Sequence, residues 1–431
     1  MSKSKETHEY VVERIRRAVS NKPVMDFFEF ALNYKYEQIM AKMPQLRKLS
    51  EKYRKIKEYS IANLDELVKI AKENLEKNDC QVFLAKTAED ARNYVLEETE
   101  GVDLITKSKS TTAKECGIVK ALEERGVTII ETDLGDRIIQ LTGEEPSLPV
   151  GPGVHVPLDK VAEAFSRDVG YKVEPDFDPI RIAARANMRE KMLQGKVCLT
   201  GANAIGAEDG IIGLIENEGN ISLITRLADK HIAVAGIDKI VPDWESATTI
   251  IKSMEAYLDI CGSYTSFIKG PSRTADLQGI NVLGMHGAQE VHVVLVDDWR
   301  TRAKNAGFEE LLYCTNCSAC FFACTAVLSG GLAYGSDVVK GAIGILRSAF
   351  AEGIEAAVRN GLFMCNGCRA CVELCPGRID TPGMIERLRA VAVEQGYGVP
   401  AHLRVSENIS KYENPFGEPP EKKTEWLEAN R

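Results

Sequence analysis

Residues 103–137 read DLITKSKSTTAKECGIVKALEERGVTIIETDLGDR, and the rhythm of this stretch decides the fold class. DLIT is a short apolar run, KSKSTT is a polar loop, AKECGIVKALEERG has helical spacing, and VTIIET is a second β-branched run. Strand, helix and strand in that order make a unit whose two strands lie parallel, because a helical crossover returns the chain to the same end of the sheet.

Working outward, similar short runs recur from about residue 80 to about residue 300: VFLA, IIGLIE, ISLIT, HIAVAG and VHVVLV. Several are separated by helix-like segments such as TAEDARNYVLEE. The alternation predicts an α/β domain with a largely parallel sheet. ENEGN, between IIGLI and ISLIT, predicts a hairpin loop. GPGVHVP and KGPSR predict surface loops. GANAIG, residues 201–206, lacks the central glycine of a dinucleotide fingerprint and predicts a strand-to-helix turn. No G-x-G-x-x-G follows a predicted strand and no G-x-x-x-x-G-K-S/T occurs, so no NAD, flavin or ATP site is read from motifs.

Upstream, residues 1–78 alternate charged and apolar positions at helical spacing, with Leu64, Leu67, Val68, Ala71 and Leu75 on one face. Asn63 and Glu66 stand at the spacing of a capping box. Residues 1–78 therefore form an N-terminal helical region, residues 79–303 the α/β domain, residues 304–391 a helical cysteine-rich domain and residues 392–431 a polar, proline-rich tail expected to be flexible.

The cysteines carry the chemistry. Of twelve, eight fall between residues 314 and 375, in CTNCSACFFACT and CNGCRACVELCP, both spaced C-x2-C-x2-C-x3-C. This is the bacterial ferredoxin run for two [4Fe-4S] clusters, in which the fourth cysteine of each motif ligates the other motif's cluster. One cluster then takes Cys314, Cys317, Cys320 and Cys375, and the other takes Cys365, Cys368, Cys371 and Cys324. Zinc sites favour separated pairs over two identical runs of four. Pro376 follows the last cysteine, whereas Thr325 fills the equivalent place after the first motif. The segment GAIGILRSAFAEGIEAAVRNG between the motifs is helical in pattern, ending at a Gly361 cap. Cys80, Cys116, Cys198 and Cys261 read as plain buried thiols.

Composition bounds the rest. The chain has 431 residues, 44% of them apolar, and a formal charge of −9, which suits a multidomain globular protein and argues against a general nucleic-acid binder. The polar start MSKSKETHEY is unlike a signal peptide, and no apolar run approaches the roughly 18 residues of a membrane span, so a cytoplasmic protein not integral to the membrane is expected.

Polar groups at strand ends are the site candidates. Ligands in open α/β sheets bind beyond the carboxyl ends of strands, which places Lys107, Ser108, Lys109 and Ser110 in a position to hold an anion or carboxylate. Glu131 and Asp133 end the next strand and are candidate proton acceptors. His155, in the glycine-proline loop, is a third candidate base. Glu208 and Asp209 are candidates for the same cleft or for a turn, while His231 and His292 read as core histidines.

Residues 61–66, 107–147, 200–220, 231–242, 269–279 and 292–300, together with the two cysteine motifs, carry a resemblance to the LUD-domain iron-sulfur proteins of the lactate-utilisation protein B family. The resemblance implies an α/β LUD domain related in fold to CoA-transferase and sugar-isomerase-like domains, joined to a helical two-cluster ferredoxin module. It also implies participation, with partner subunits, in oxidising L-lactate to pyruvate. The tail NPFGEPPEKK resembles a segment that leads, in related iron-sulfur subunits, into a cysteine-rich CCG domain. A separate CCG-domain subunit is therefore the expected electron acceptor, alongside a second LUD-domain or flavin subunit. The alternative is a non-catalytic electron-transfer and docking subunit of a heterodisulfide-reductase-like or flavin-containing complex.

Overall fold

The computed structural model describes residues 3–148, 150–258, 262–419 and 422. Its strands are β1 (Cys80–Ala85), β2 (Leu104–Lys107), β3 (Thr128–Glu131), β4 (Val197–Thr200), β5 (Ala204–Gly206), β6 (Ile211–Glu216), β7 (Lys230–Gly236), β8 (Ile240–Val241), β9 (Tyr264–Ile268), β10 (Arg273–Leu277), β11 (Ile280–Leu283) and β12 (Glu290–Val296). Six of them form one parallel sheet in the order β1-β12-β7-β4-β2-β3. The central strands β7 and β12 are buried along nearly their whole length, as expected when helices cover both faces of a parallel sheet. A second sheet, β8-β5-β6-β9, and the hairpin β10-β11 complete the strands.

The strand order positions the site. From β2 the chain moves outward to β3, then returns past β2 to β4 on the other side and continues through β7. The connections leaving β2 and β4 therefore diverge, and a crevice opens beyond their carboxyl ends. KSKS follows β2 on one side of that crevice; Gly201, Ala202 and Asn203 follow β4 on the other.

The N-terminal region is three helices, Lys3–Ser20, Lys22–Ala62 and Leu64–Lys77. The second has 41 residues, including Pro44, and is roughly 60 Å long by the rise of an ideal helix. In the third, Leu64, Leu67, Ala71 and Leu75 are buried and Val68 packs against them. One continuous core holds Phe28 and Leu32 from the long helix, Val293, Leu295 and Trp299 from the α/β region, and Phe321, Ile345 and Leu388 from the cysteine-rich region. The three regions are thus fused through shared apolar surface. Among the described residues, no helix is long and apolar enough to cross a membrane.

Several expectations are corrected. ISLIT is part of a helix, Asn220–Leu227, and ENEGN joins strand to helix instead of closing a hairpin. The cause is a cap: the Glu216 carboxylate accepts the Ser222 backbone N–H at 2.8 Å, satisfying a free donor of the first helical turn. GANAIG joins strand to strand, β4 to β5. Asn63 does not form a capping box; its amide donates back to the Tyr59 carbonyl at 2.8 Å and closes the preceding helix. The helical stretch between the cysteine motifs is two helices, Ala342–Ala351 and Ile354–Arg359, broken at Gly353 with φ +105°. The tail begins with a helix, Pro400–Tyr412, that buries no residue. Cys80, Cys116 and Cys198 are buried thiols as expected, while Cys261 lies outside the described residues.

Candidate functional site

The crevice at the strand ends widens into a cleft of about 930 Å³. Lys107, Ser108, Lys109, Ser110, Glu131 and Asp133 all line it. Lys107 and Glu131 are register partners on β2 and β3, so their side chains leave the same face and pair, with Nζ 2.8 and 2.9 Å from the two carboxylate oxygens. Burial raises the Glu131 carboxyl above its usual range, opposed by Lys107. Ser110 caps the helix Thr111–Glu115 by accepting the Ala113 N–H, and Asp133 caps Leu134–Thr142 by accepting the Asp136 N–H. Ser108 Oγ is buried on the cleft wall and has no hydrogen-bond partner among the described residues.

Sequence reasoning missed three further groups in this cleft. Asp136 stands one helical turn after Asp133, with Oδ2 3.5 Å from Lys109 Nζ; burial raises its carboxyl. Glu218, from the loop after β6, accepts the Leu134 N–H at 3.1 Å. Its outer side meets solvent, but burial of the carboxyl between the cleft walls and the neighbouring Asp133 charge push it up to about 7. Lys114 and Lys340 approach across the seam between the α/β and cysteine-rich regions: Lys114 Nζ donates to the Asp337 carbonyl at 2.9 Å and Lys340 Nζ lies 3.4 Å from the Asp337 carboxylate. The i,i+3 spacing of Asp133 and Asp136 was a usable signal; Glu218 and the lysine pair meet only through tertiary folding.

His155 and Glu208 do not line this cleft. Burial lowers the His155 pKa, and Glu208 is an exposed residue of a turn in which Asp209 accepts the Trp244 N–H. His231 and His292 are fully buried core residues.

The first cysteine loop also lines the cleft: Cys314, Thr315, Asn316, Cys317, Ser318 and Cys320. Behind it, a small hollow is lined by Cys314, Cys317, Cys320 and Cys375, with Cys371 also on its wall. Cys324 lies instead in the electrostatic neighbourhood of Cys365 and Cys371, as does Tyr334. Both loops adopt the same turn. Asn316 (φ 62°) and Gly367 (φ 73°), two residues after each first cysteine, are left-handed, as are Ser318 (φ 65°) and Arg369 (φ 63°) after each second cysteine. The turn aims backbone N–H groups inward: Asn316 N donates to Cys314 Sγ and Gly367 N to Cys365 Sγ.

A LUD domain model matches residues 68–296 and a 4Fe-4S dicluster domain model matches residues 310–379. Lactate utilization protein B of Shouchella clausii is 32% identical over 365 residues, which cover 83% of this chain and 74% of that protein. The chain belongs to the lactate utilization protein B family. The uncharacterized electron transport protein YkgF of Escherichia coli is 30% identical over 354 residues, covering 81% of this chain and 72% of its own. A DUF162 family protein from Deinococcus radiodurans aligns over 54% of this chain and 98% of its own length, with 11% identity and a TM-score of 0.31.

Like the family it belongs to, the chain is an iron-sulfur electron-transfer protein, and it carries two [4Fe-4S] clusters. The residues fit such groups. Burial pushes the thiols of Cys324 and Cys375 up to about 12 and those of Cys317 and Cys320 higher still, so they stay neutral until iron supplies the compensating charge. Inward N–H donors are the hydrogen bonds that steady cluster sulfur and tune its potential.

In this lactate utilization protein B family member, a buried charge network braces the first loop. Lys239 Nζ donates to the Cys314 carbonyl at 2.9 Å and to Asp238 Oδ2 at 2.8 Å. Asp238 also pairs with Arg300, and its carbonyl accepts from Lys57 of the long helix. Arg300 reaches Glu115 at 3.0 Å, and Glu115 meets Arg347 at 3.3 Å. Burial alone would raise the Asp238 carboxyl, but Lys239 and Arg300 hold it well below the usual carboxylate range. Burial also brings Lys57 down to about 7.

Proposed function

We propose that this chain is the subunit of an oxidoreductase complex that draws electrons from a small 2-hydroxy acid, L-lactate in the first instance, and passes them through its two clusters to a CCG-domain iron-sulfur partner. One observation carries the reading: the cleft at the strand ends is lined both by the strand-end polar groups and by the first cysteine loop. A substrate oxidised there stands beside an electron acceptor. The lactate follows from the relatives, which are lactate utilization proteins.

The residues divide the work by chemistry. Lys109, with Ser108 and Ser110 beside it, binds the substrate carboxylate, while the Lys107–Glu131 pair fixes the floor of the cleft. Glu218, poised near neutrality, takes the hydroxyl proton, since a base matched to the working pH transfers protons best. The clusters supply one-electron acceptance. Cys314, Cys317, Cys320 and Cys375 hold the first and Cys365, Cys368, Cys371 and Cys324 the second, in keeping with the grouping of the thiols around the hollow.

Anaerobic purification with native partners, followed by addition of L-lactate and other 2-hydroxy acids under electron paramagnetic resonance, tests the route. Substrate-dependent cluster reduction is expected, and it should fall about a hundredfold in Lys109→Ala, in the range of effects for lost substrate positioning. Undiminished reduction in Lys107→Ala and Lys109→Ala would sink the substrate site. For the ligand sets, Cys375→Ala should alter the same cluster signal as Cys317→Ala, and Cys324→Ala the same signal as Cys368→Ala.

A further inference from the structure

We propose that Lys239 and Arg389 set the reduction potentials of the two clusters, one cation to each, and that Lys239 does so as part of a buried network with an excess of positive charge. The proposal rests on the assignment of each cysteine loop to its own cluster and is independent of the hydroxy acid.

The first cysteine of each loop offers its backbone carbonyl to a cation. Lys239 Nζ donates to the Cys314 carbonyl at 2.9 Å. The Arg389 guanidinium donates to the Cys365 carbonyl and, at 3.0 Å, to the Leu362 carbonyl. Lys239 comes from the turn between β7 and β8, and Arg389 from the helix Thr381–Glu394. The repeated cysteine motif therefore does not by itself bring a cation to the same place twice.

The settings of the two cations differ. Lys239 belongs to a chain of six side chains in which Lys57, Lys239, Arg300 and Arg347 face only two carboxylates, Asp238 and Glu115. Five of the six are at most 5% exposed, and the Glu115 side chain is 13% exposed. The network keeps a positive excess even when Lys57 is neutral. Arg347 also leaves Nε and Nη2 without a hydrogen-bond partner among the described residues. Buried charge of this kind is costly unless an opposite charge meets it. The nearby acids of the cleft are engaged elsewhere, Glu131 with Lys107 and both Asp133 and Asp136 with Lys109. Arg54, a further cation beside the loop, is matched by Glu58 and Glu310. A [4Fe-4S] cluster on four thiolates is an anion in both redox states, and Cys314, one of its ligands, lies in the electrostatic neighbourhood of Lys57. Arg389, by contrast, is half-buried beside a loop that is exposed from residue 366 to 369, where water and salt screen it.

Net charge and solvent exposure are the levers on a cluster's potential. Reduction adds one negative charge, which burial opposes and a fixed cation favours, the more so where little water intervenes. The buried network thus keeps the first cluster reducible in a dry setting, while solvent and Arg389 share that task at the second.

Anaerobic redox titration of the full-length chain, followed by electron paramagnetic resonance, tests the assignment once Cys317→Ser and Cys368→Ser have shown which signal belongs to which loop. Lys239→Met should make the first cluster about tenfold harder to reduce, about 59 mV for one electron, and leave the second unchanged. Arg389→Met should shift the second alone and by less, about threefold, because it is screened. Lys239→Arg, which keeps the charge, should behave as wild type. Glu115→Gln removes a negative charge from the network and should make the first cluster easier to reduce, the opposite sense to Lys239→Met; a loop merely loosened by mutation has no reason to follow the sign of the charge. Should Lys239→Met fail to hold its iron, the sense of the Glu115→Gln shift decides. An unmoved first cluster in either variant, both clusters moving together, or shifts of the same sense in Lys239→Met and Glu115→Gln would each overturn the proposal. Potentials that move as expected while every hydroxy acid proves inert would uphold it and remove only the substrate reading.

Discussion

The two cysteine loops share a spacing and a backbone turn but not a setting. In the first, Thr315, Cys317 and Ala319 are buried and no residue from 314 to 320 is exposed; in the second, residues 366–369 are all exposed, Cys368 among them. The first loop faces the polar cleft and is braced by Lys239 and Tyr53; the second presents its turn to solvent. Identical local chemistry placed in a more and a less buried setting gives two clusters with different neighbours. On the proposed route, that asymmetry sets the direction: electrons would enter at the loop lining the cleft and leave from the exposed one.

The largest effects should come from cutting either end of this asymmetry. Cys317→Ala should abolish hydroxy-acid reduction of both clusters, because the entry is lost. Cys368→Ala should leave first-cluster reduction intact while lowering electron delivery to the partner about a hundredfold, in the range seen when metal ligation is disturbed. Rapid-freeze electron paramagnetic resonance separates the two outcomes, and equal loss of first-cluster reduction in both variants would erase the distinction.

Next is the brace. Asp238→Asn leaves Lys239 and Arg300 buried with less compensation and should destabilise the fold by about 3–5 kcal/mol, measured by anaerobic denaturant unfolding, with the first cluster lost before the second. A smaller effect is expected at Glu218. Its carboxyl must be ionised to accept a proton, so lactate-dependent reduction should rise roughly tenfold as pH increases through about 7. Glu218→Gln should flatten that rise. Smallest is Tyr53→Phe, which removes the hydrogen bond to the Tyr313 carbonyl at 2.6 Å and should cost about 1 kcal/mol. Oxygen sensitivity should increase for the first cluster alone.

How much of this was legible in the sequence depended on distance along the chain. DLIT and VTIIET declared their strands because β-branched residues and punctuating loops act locally, and the cysteine spacing declared the clusters for the same reason. ISLIT misled because a short apolar run suits a strand or a helix, and the deciding Glu216 cap belongs to the preceding strand. KSKS and Glu131 were found as strand ends. Their neighbour Glu218 was not, since it enters from a loop more than eighty residues away. Gly353 could have split the predicted helix, yet an isolated glycine is tolerated inside helices often enough that its pattern alone did not.

The long helix Lys22–Ala62 has a consequence for inheritance. Ser50 donates to the Pro376 carbonyl, Tyr53 to the Tyr313 carbonyl and Arg54 to the Gly377 carbonyl. A cassette that looks self-sufficient as eight cysteines in one short stretch thus borrows part of its scaffolding from residues 260 to 326 positions away. Such a part cannot be transplanted, duplicated or traded between proteins by itself: recombination that moves the cysteines without the helix moves the ligands and leaves behind their mould.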